Sequence, residues 1–206
     1  MKKLLSLAVL AATIVSCGTN EPKVANYKVN ETVSKAEWKG SAPDHFHVGS
    51  FKVTGALTAT GNGKVTGGDF VIPISSIQDY DLPDPVRQTL LADLKSPNFF
   101  NLVTHPDAKF HVTKAEPFST GDTTAVTGAN YMLTGDFSMI GQTHSISFPV
   151  KVETDGNGLS ADAKFSLNRK QWGMNIYSDP SKPLYILPDV NIHLTVRAAD
   201  DKLAKL

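Results

Sequence analysis

From residue 34 to residue 197, apolar and polar side chains alternate with period two along most of the chain. Successive side chains on a strand point to opposite faces, so this pattern predicts half-buried β-strands. Ser34, Ala36 and Trp38 alternate with Lys35, Glu37 and Lys39, and Phe51, Val53, Gly55, Leu57 and Ala59 with Lys52, Thr54, Thr58 and Thr60. Phe70, Ile72 and Ile74 mark a third strand after the Gly61-Asn62-Gly63 turn, and Ala108, Phe110 and Val112 a fourth. Tyr131, Leu133, Gly135, Phe137 and Met139 form a fifth, which turns near Gly141-Gln142 into Ile146, Phe148, Val150 and Val152. Asp155-Gly156-Asn157-Gly158 is a hairpin signal. Leu159, Ala161, Ala163, Phe165 and Leu167 follow it, and Val190, Ile192, Leu194 and Val196 close the series. About eight strands joined mostly by tight turns predict an all-β fold, an eight-stranded antiparallel up-and-down barrel.

One segment departs from this pattern. Asp84-Pro85 reads as an N-cap and first helical residue, and Val86, Leu90, Leu91 and Leu94 then fall at helical spacing before Ser96-Pro97. One short amphipathic helix near residues 84–95 has to bury its apolar stripe, and the open end of a barrel offers a place for it. Eight strands enclose an interior that side chains can just fill or that holds one small ligand. Small inward positions (Gly55, Ala59, Gly135, Ala161 and Ala163) fit a hollow barrel, and equally fit relief of crowding at barrel bends. The pattern leaves filled and hollow open.

The start of the chain reads differently. Lys2 and Lys3 precede an apolar run from Leu4 to Val15 that stops at Ser16-Cys17, the layout of a secretory signal. The run is shorter than the roughly 20 apolar residues of a membrane span. Ile14-Val15-Ser16-Cys17 resembles the bacterial lipobox, which makes Cys17 the expected lipid-attachment site after removal of residues 1–16. Cys17 is the single cysteine, so it has no partner for a disulfide within the chain. At about 0.8 kcal/mol per buried methylene, several acyl chains on one residue anchor a protein durably in a membrane. Residues 17–26 read as a short lipidated tether, residues 27–200 as the barrel domain and residues 201–206 as a tail. Gly18 stands where an aspartate often signals inner-membrane retention in enteric bacteria. The expected address is therefore the bacterial envelope, on the outer membrane facing the periplasm.

Composition adds exclusions. The chain carries 20 basic and 20 acidic residues, and loss of Lys2 and Lys3 leaves 18 against 20, a balance of −2. Without a basic stripe, nucleic acid is not an expected partner. No nucleophile elbow, phosphate loop, dinucleotide fingerprint or His-Glu-x-x-His is present, so no enzymatic activity and no cofactor are expected. His45 and His47 share a strand face, yet zinc takes three or four ligands and no neighbouring Cys, Asp or Glu completes the set, so no metal site is expected. The pair is either a source of hydrogen bonds to a ligand head group or a polar rim. The pattern points His111 and His193 outward. Arg169 could hold a pyrophosphate or quinone oxygen through its planar fork, but the preferred reading pairs it with a carboxylate that pins a loop. Trp172 and Tyr177 read as packing residues.

The stretch Leu94-Lys95-Ser96-Pro97-Asn98-Phe99-Phe100-Asn101, followed by His105-Pro106 and Phe110, resembles the signature of the YceI-like family of bacterial proteins. Ser34 to Gly40, His47 with Gly49, Ile72 to Ser76, Leu133 to Asp136 with Gly141, and Phe165 through Trp172-Gly173 agree in order and spacing. The resemblance runs over about residues 27–198. It implies a lipocalin-like barrel that binds a long isoprenoid chain, such as a polyprenyl phosphate or a quinone tail, along its axis. Asn98, Asn101, His105 and the stretch from Asp79 to Pro85 depart from the family pattern near the presumed mouth, which bears on the head group more than on the tail. The expected ligand-lining residues are Trp38, Phe51, Val53, Leu57, Phe70, Ile72, Phe110, Leu133, Phe137, Ile146, Phe148 and Phe165. Leu90, Leu91, Leu94, Phe99 and Phe100 are expected to close or gate one end. His45, His47 and Arg169 are the candidate head-group contacts. The alternative function is a structural or accessory envelope lipoprotein with a filled barrel, acting through its surface. Oligomeric state is not legible.

Overall fold

The alternating segments form one antiparallel sheet that closes on itself. The structure is a computed structural model that describes residues 23–61, 63–119, 125–155 and 157–201. Its strands are β1 (Val24–Val29), β2 (Lys35–Ser41), β3 (Phe46–Lys52), β4 (Thr54–Thr60), β5 (Val65–Pro73), β6 (Gln78–Asp79), β7 (Asp107–Pro117), β8 (Tyr131–Met139), β9 (Gln142–Thr154), β10 (Gly158–Asn168) and β11 (Asp189–Asp200). Three pairs are interrupted single paths. β1 runs on into β2 and β3 into β4, because β2 pairs with β3 and β1 pairs with β4. β5 pairs with β4 while β6, beyond a 3-10 turn at Ile74–Ser76, pairs with β3. Eight paths therefore follow one another around a barrel, and β11 completes the ring by lying against both β2 and β1.

The break between β1 and β2 is bridged by a side chain. Ser34 is buried, and its hydroxyl donates to the Arg197 carbonyl and accepts from the Arg197 N–H at 3.0 Å. Those two bonds replace the ladder that the broken strand cannot supply, where buried backbone groups must be paired. β11 thus changes partner from β2 to β1 without leaving an edge.

Among the described residues most irregular segments gather at one end of the barrel, while the connection that leaves β7 at Pro117 and enters β8 at Tyr131 belongs to the other. The β2–β3 and β8–β9 hairpins, the helix α1 (Val86–Lys95) with Phe99 and Phe100, and the long connection from β10 to β11 lie at the first end. The tight hairpin at Gly158 and the turn between β4 and β5 mark the other end.

Four expectations change in detail. β1 begins at Val24, so residues 24–26 belong to a strand paired with β4 and not to a tether. Ile74 sits in the 3-10 turn, not in a strand. Asp84 makes no backbone cap; its carboxylate accepts from Arg87 Nη2 at 2.7 Å and Gln88 Nε2 at 3.2 Å, and the helix starts at Val86. The small residues do not by themselves hollow the barrel. A Cβ at Gly135 would overlap the His111 carbonyl oxygen and the Phe110 ring, and one at Gly55 would overlap the Asp69 carbonyl oxygen. These two glycines relieve crowding between neighbouring strands. Segment 1–16, Cys17 and residues 202–206 lie outside the described residues. Among the described residues, no helix is long and apolar enough to cross a membrane.

Replacing Gly135 with Ala is expected to cost about 1–3 kcal/mol through overpacking. Gly40→Ala, with no atom within 4 Å of the added methyl, should stay within about 0.5 kcal/mol of the parent. Urea unfolding midpoints at unchanged m-value check both.

Candidate functional site

Inward side chains from all eight strand paths surround a cavity of about 690 Å³, within the roughly 300–1,000 Å³ typical of ligand pockets. On β11 its lining runs from Val190 to Val196 and on β9 from Ile146 to Val152, about 20 Å along each strand at ~3.3 Å per residue. One end is closed: Leu57, Val65, Val150 and Val196 there are all buried. The other end opens between Ser41–His47 and Pro183–Ile186, where Leu184 is 66% exposed.

Half-burial of inward residues records the hollow. Phe70, Ile72, Ile146, Phe165, Ile192 and Leu194 face the interior of a closed barrel, yet each is only half-buried because it borders empty space. Aromatic rings hold one wall. Phe148 and Phe165 stack with centroids 4.2 Å apart, Phe110 lies 5.6 Å from Phe148, and Phe70 lies 6.4 Å from Phe110. Phe51 meets Phe100 edge to face at 5.4 Å, tying the wall to the segment after α1. Such pairs add about 0.5–1.5 kcal/mol each beyond area burial.

Trp38, Phe51, Val53, Leu57, Phe70, Ile72, Phe110, Leu133, Phe137, Ile146, Phe148 and Phe165 line this cavity, as do Leu90, Leu94, Phe99 and Phe100 at its open end. Leu91 is packed partly buried against the core but is not among the lining residues. Of the five small inward residues only Ala161 borders the cavity. Sequence reading missed the mouth segment around Leu184 and Tyr185, which carries no periodic signal.

Arg169 borders the cavity but has another task. It is buried, and its guanidinium donates to the carbonyl oxygens of Met174, Ile176, Tyr177, Ile186 and Leu187 and to Ser178 Oγ. Every N–H of the fork is engaged, so none is left for a head group. No carboxylate pairs with it among the described residues, and burial pushes its pKa below the ordinary value. The loop-pinning role stands, with backbone carbonyls in place of the expected carboxylate. Trp172 is fully buried, donates to the Phe137 carbonyl at 3.2 Å and meets Phe137 and His144 edge to face.

The two histidines separate in role. His45 is exposed and contacts Asp44 at 2.7 Å, while His47 Nδ1 lies 2.8 Å from Asp81 Oδ2. Their rings are 5.4 Å apart, edge to face. Burial pushes the Asp81 carboxyl up, but the Val48 N–H, His47 and the neighbouring Asp79 together outweigh it and hold the group below the usual range. His111 and His193 point outward, against Asp69 and Glu37 on neighbouring strands.

Residues 27–198 match the YceI-like domain. The chain belongs to the YceI-like family. No curated protein matches its sequence. Among solved structures, this YceI-like barrel is similar to BcnA of Burkholderia cenocepacia, with TM-score 0.64 and 18% identity over 83% of this chain and 99% of that one. It is also similar to a polyisoprenoid binding domain from Saccharophagus degradans implicated in plant cell wall breakdown (TM-score 0.60, 12% identity, 86% and 99% covered). A third is the Campylobacter jejuni YCEI protein, at TM-score 0.53 and 15% identity over 98% of this chain and 99% of that one. At these identities the likeness is one of fold.

Arg169→Lys tests the loop clamp of this YceI-like barrel. Lysine offers three donors where arginine offers five, and each buried carbonyl left unmet costs about 1–3 kcal/mol. Hydrogen exchange over residues 173–188 is expected to accelerate, and unfolding to shift by about 2 kcal/mol or more.

Proposed function

We propose that the protein is a lipid-anchored, non-enzymatic binding module that holds a long isoprenoid chain, a polyprenyl phosphate or quinone-like lipid, in its barrel as carrier or buffer at the bacterial envelope. The observation that carries this reading is the deep cavity, closed at its apolar end and opening at the end where Ser41, Asp44, His45 and His47 stand. A branched hydrocarbon leaves water with a gain of about 25 cal/mol per Å² of apolar area, without any chemistry at the wall. The polar mouth suits a head group that stays near water. Membership of the YceI-like family, and the description of the similar Saccharophagus degradans domain as polyisoprenoid binding, support the same ligand class.

The signal-like start and Cys17 supply the anchor in this proposal, with the barrel hanging from the outer membrane into the periplasm. The histidines at the mouth are its candidate head-group contacts. The filled barrel assumed by the accessory-protein alternative does not describe this structure, whose interior is open.

Native mass spectrometry of the protein extracted from bacterial membranes, followed by organic extraction, is expected to find one excess mass that extracts as a polyprenyl or quinone species. Ala161→Phe, which places a ring in the cavity, should lose most of that lipid while keeping its β-sheet circular dichroism. A clean apo mass, unchanged by added polyprenyl phosphate or quinone, would sink the proposal. Separately, Cys17→Ser is expected to move the protein from the membrane to the soluble fraction; unchanged membrane retention would remove the anchor from it.

A further inference from the structure

The sequence pairs His45 with His47, but the fold gives His47 different company. β6 is only two residues long, and it pairs with β3 so that Asp79 stands opposite Gly49. The approach depends on that glycine, because a Cβ there would overlap the Gln78 carbonyl oxygen and crowd the Trp38 ring. Asp79 and Asp81 are thereby delivered to His47 from 32 and 34 positions along the chain.

One nitrogen of His47 and one carboxylate oxygen from each of Asp79 and Asp81 lie within 4.8 Å of one another. Asp79 is 4% exposed. Its Oδ1 accepts from the Leu82 N–H at 2.9 Å, while its Oδ2 is buried with no hydrogen-bond partner. A buried carboxylate oxygen without a donor is costly, and here the side chain that carries it has an oxygen within 4.8 Å of a second carboxylate. Asp81 Oδ1 is held by the Val48 N–H at 2.8 Å, which fixes that carboxylate against the strand. The cluster is therefore rigid, acidic and short of positive charge at one buried atom.

We propose that His47, Asp79 and Asp81 form a site for a divalent transition-metal ion beside the cavity mouth. Imidazole with two carboxylates suits zinc or manganese better than the all-oxygen sets that calcium and magnesium take. Metal–ligand bonds of about 2.0–2.2 Å require ligand atoms no more than about 4.4 Å apart, so small side-chain adjustments close the site, and water completes the shell. The sequence set the metal aside because the third ligand was missing. The fold supplies two, and His45 is not one of them.

The test uses the full chain in detergent, without a histidine tag, stripped with chelator and titrated calorimetrically with zinc and, separately, manganese. One equivalent is expected to bind with micromolar or tighter affinity. Asp79→Asn, which keeps an acceptor for the Leu82 N–H, and His47→Gln should each weaken binding at least about tenfold, since outer partners of metal ligands alone are worth about 10–100-fold. His45→Gln should leave it unchanged. Cobalt absorption in the visible region gives a second readout of imidazole and carboxylate ligation. Absence of saturable binding, or binding that survives both Asp79→Asn and His47→Gln, overturns the site; a proton shared by the two carboxylates then occupies the gap. Lipid extraction from the same samples reads the cavity independently.

Discussion

Closure of the sheet is the constraint on which the rest of this molecule depends. A strand edge exposes a row of unpaired backbone groups, and here β11 removes the last one by pairing with β2 at Asn191–Thr195 and β1 at Ala198–Asp200. Once eight paths are joined in a ring, strand number and stagger fix the width of the interior. The inward side chains have to fill that width or leave it open. Phenylalanines stacked against one another occupy the walls and leave the axis empty. The cavity is thus a consequence of closure with these residues, not of small residues placed to make room.

Most of the described irregular backbone lies at one end. The other end is sealed by Leu57, Val65, Val150 and Val196, all buried. At the open end the long connection between β10 and β11 needs a substitute for sheet pairing, and Arg169 provides it by binding carbonyls from Met174 to Leu187. A buried guanidinium with no carboxylate costs desolvation. Five carbonyls and a hydroxyl offset that cost and fix the rim through which any ligand passes. A residue that the sequence offered as a head-group contact is instead part of the frame.

What was legible follows from period. Apolar residues at every second position name both the strand and its inward face, so Trp38, Phe51, Phe110, Phe148 and Phe165 could be placed against the axis from the sequence. Helical spacing located Leu90 and Leu94 in the same way. β1 was not legible because Val24, Ala25 and Asn26 are short of large alternating residues and look like a linker. β6 is two residues long and has no period at all. Asp79 within it and Asp81 just after it therefore carry no strand signal, and only pairing in space brings them to His47. Hollowness was illegible for another reason: a lining phenylalanine and a packed one have the same identity, and only the space left between the folded walls separates them.

Selectivity in such a barrel has to come mostly from its mouth. An apolar wall discriminates between hydrocarbon chains by only about 1–3 kcal/mol per missing or extra methylene, whereas a site that must satisfy buried polar groups discriminates far more strongly. Among the described lining residues, polar side chains concentrate at the open end, at Ser41, Asp44, His45, His47 and Asp93. His47 belongs both to that rim and to the cluster with Asp79 and Asp81. A change of charge in the cluster therefore acts on a side chain at the open end of the cavity, while the apolar depth is left untouched. Under the proposed function, tail affinity and head-group choice fall to separate parts of one continuous surface.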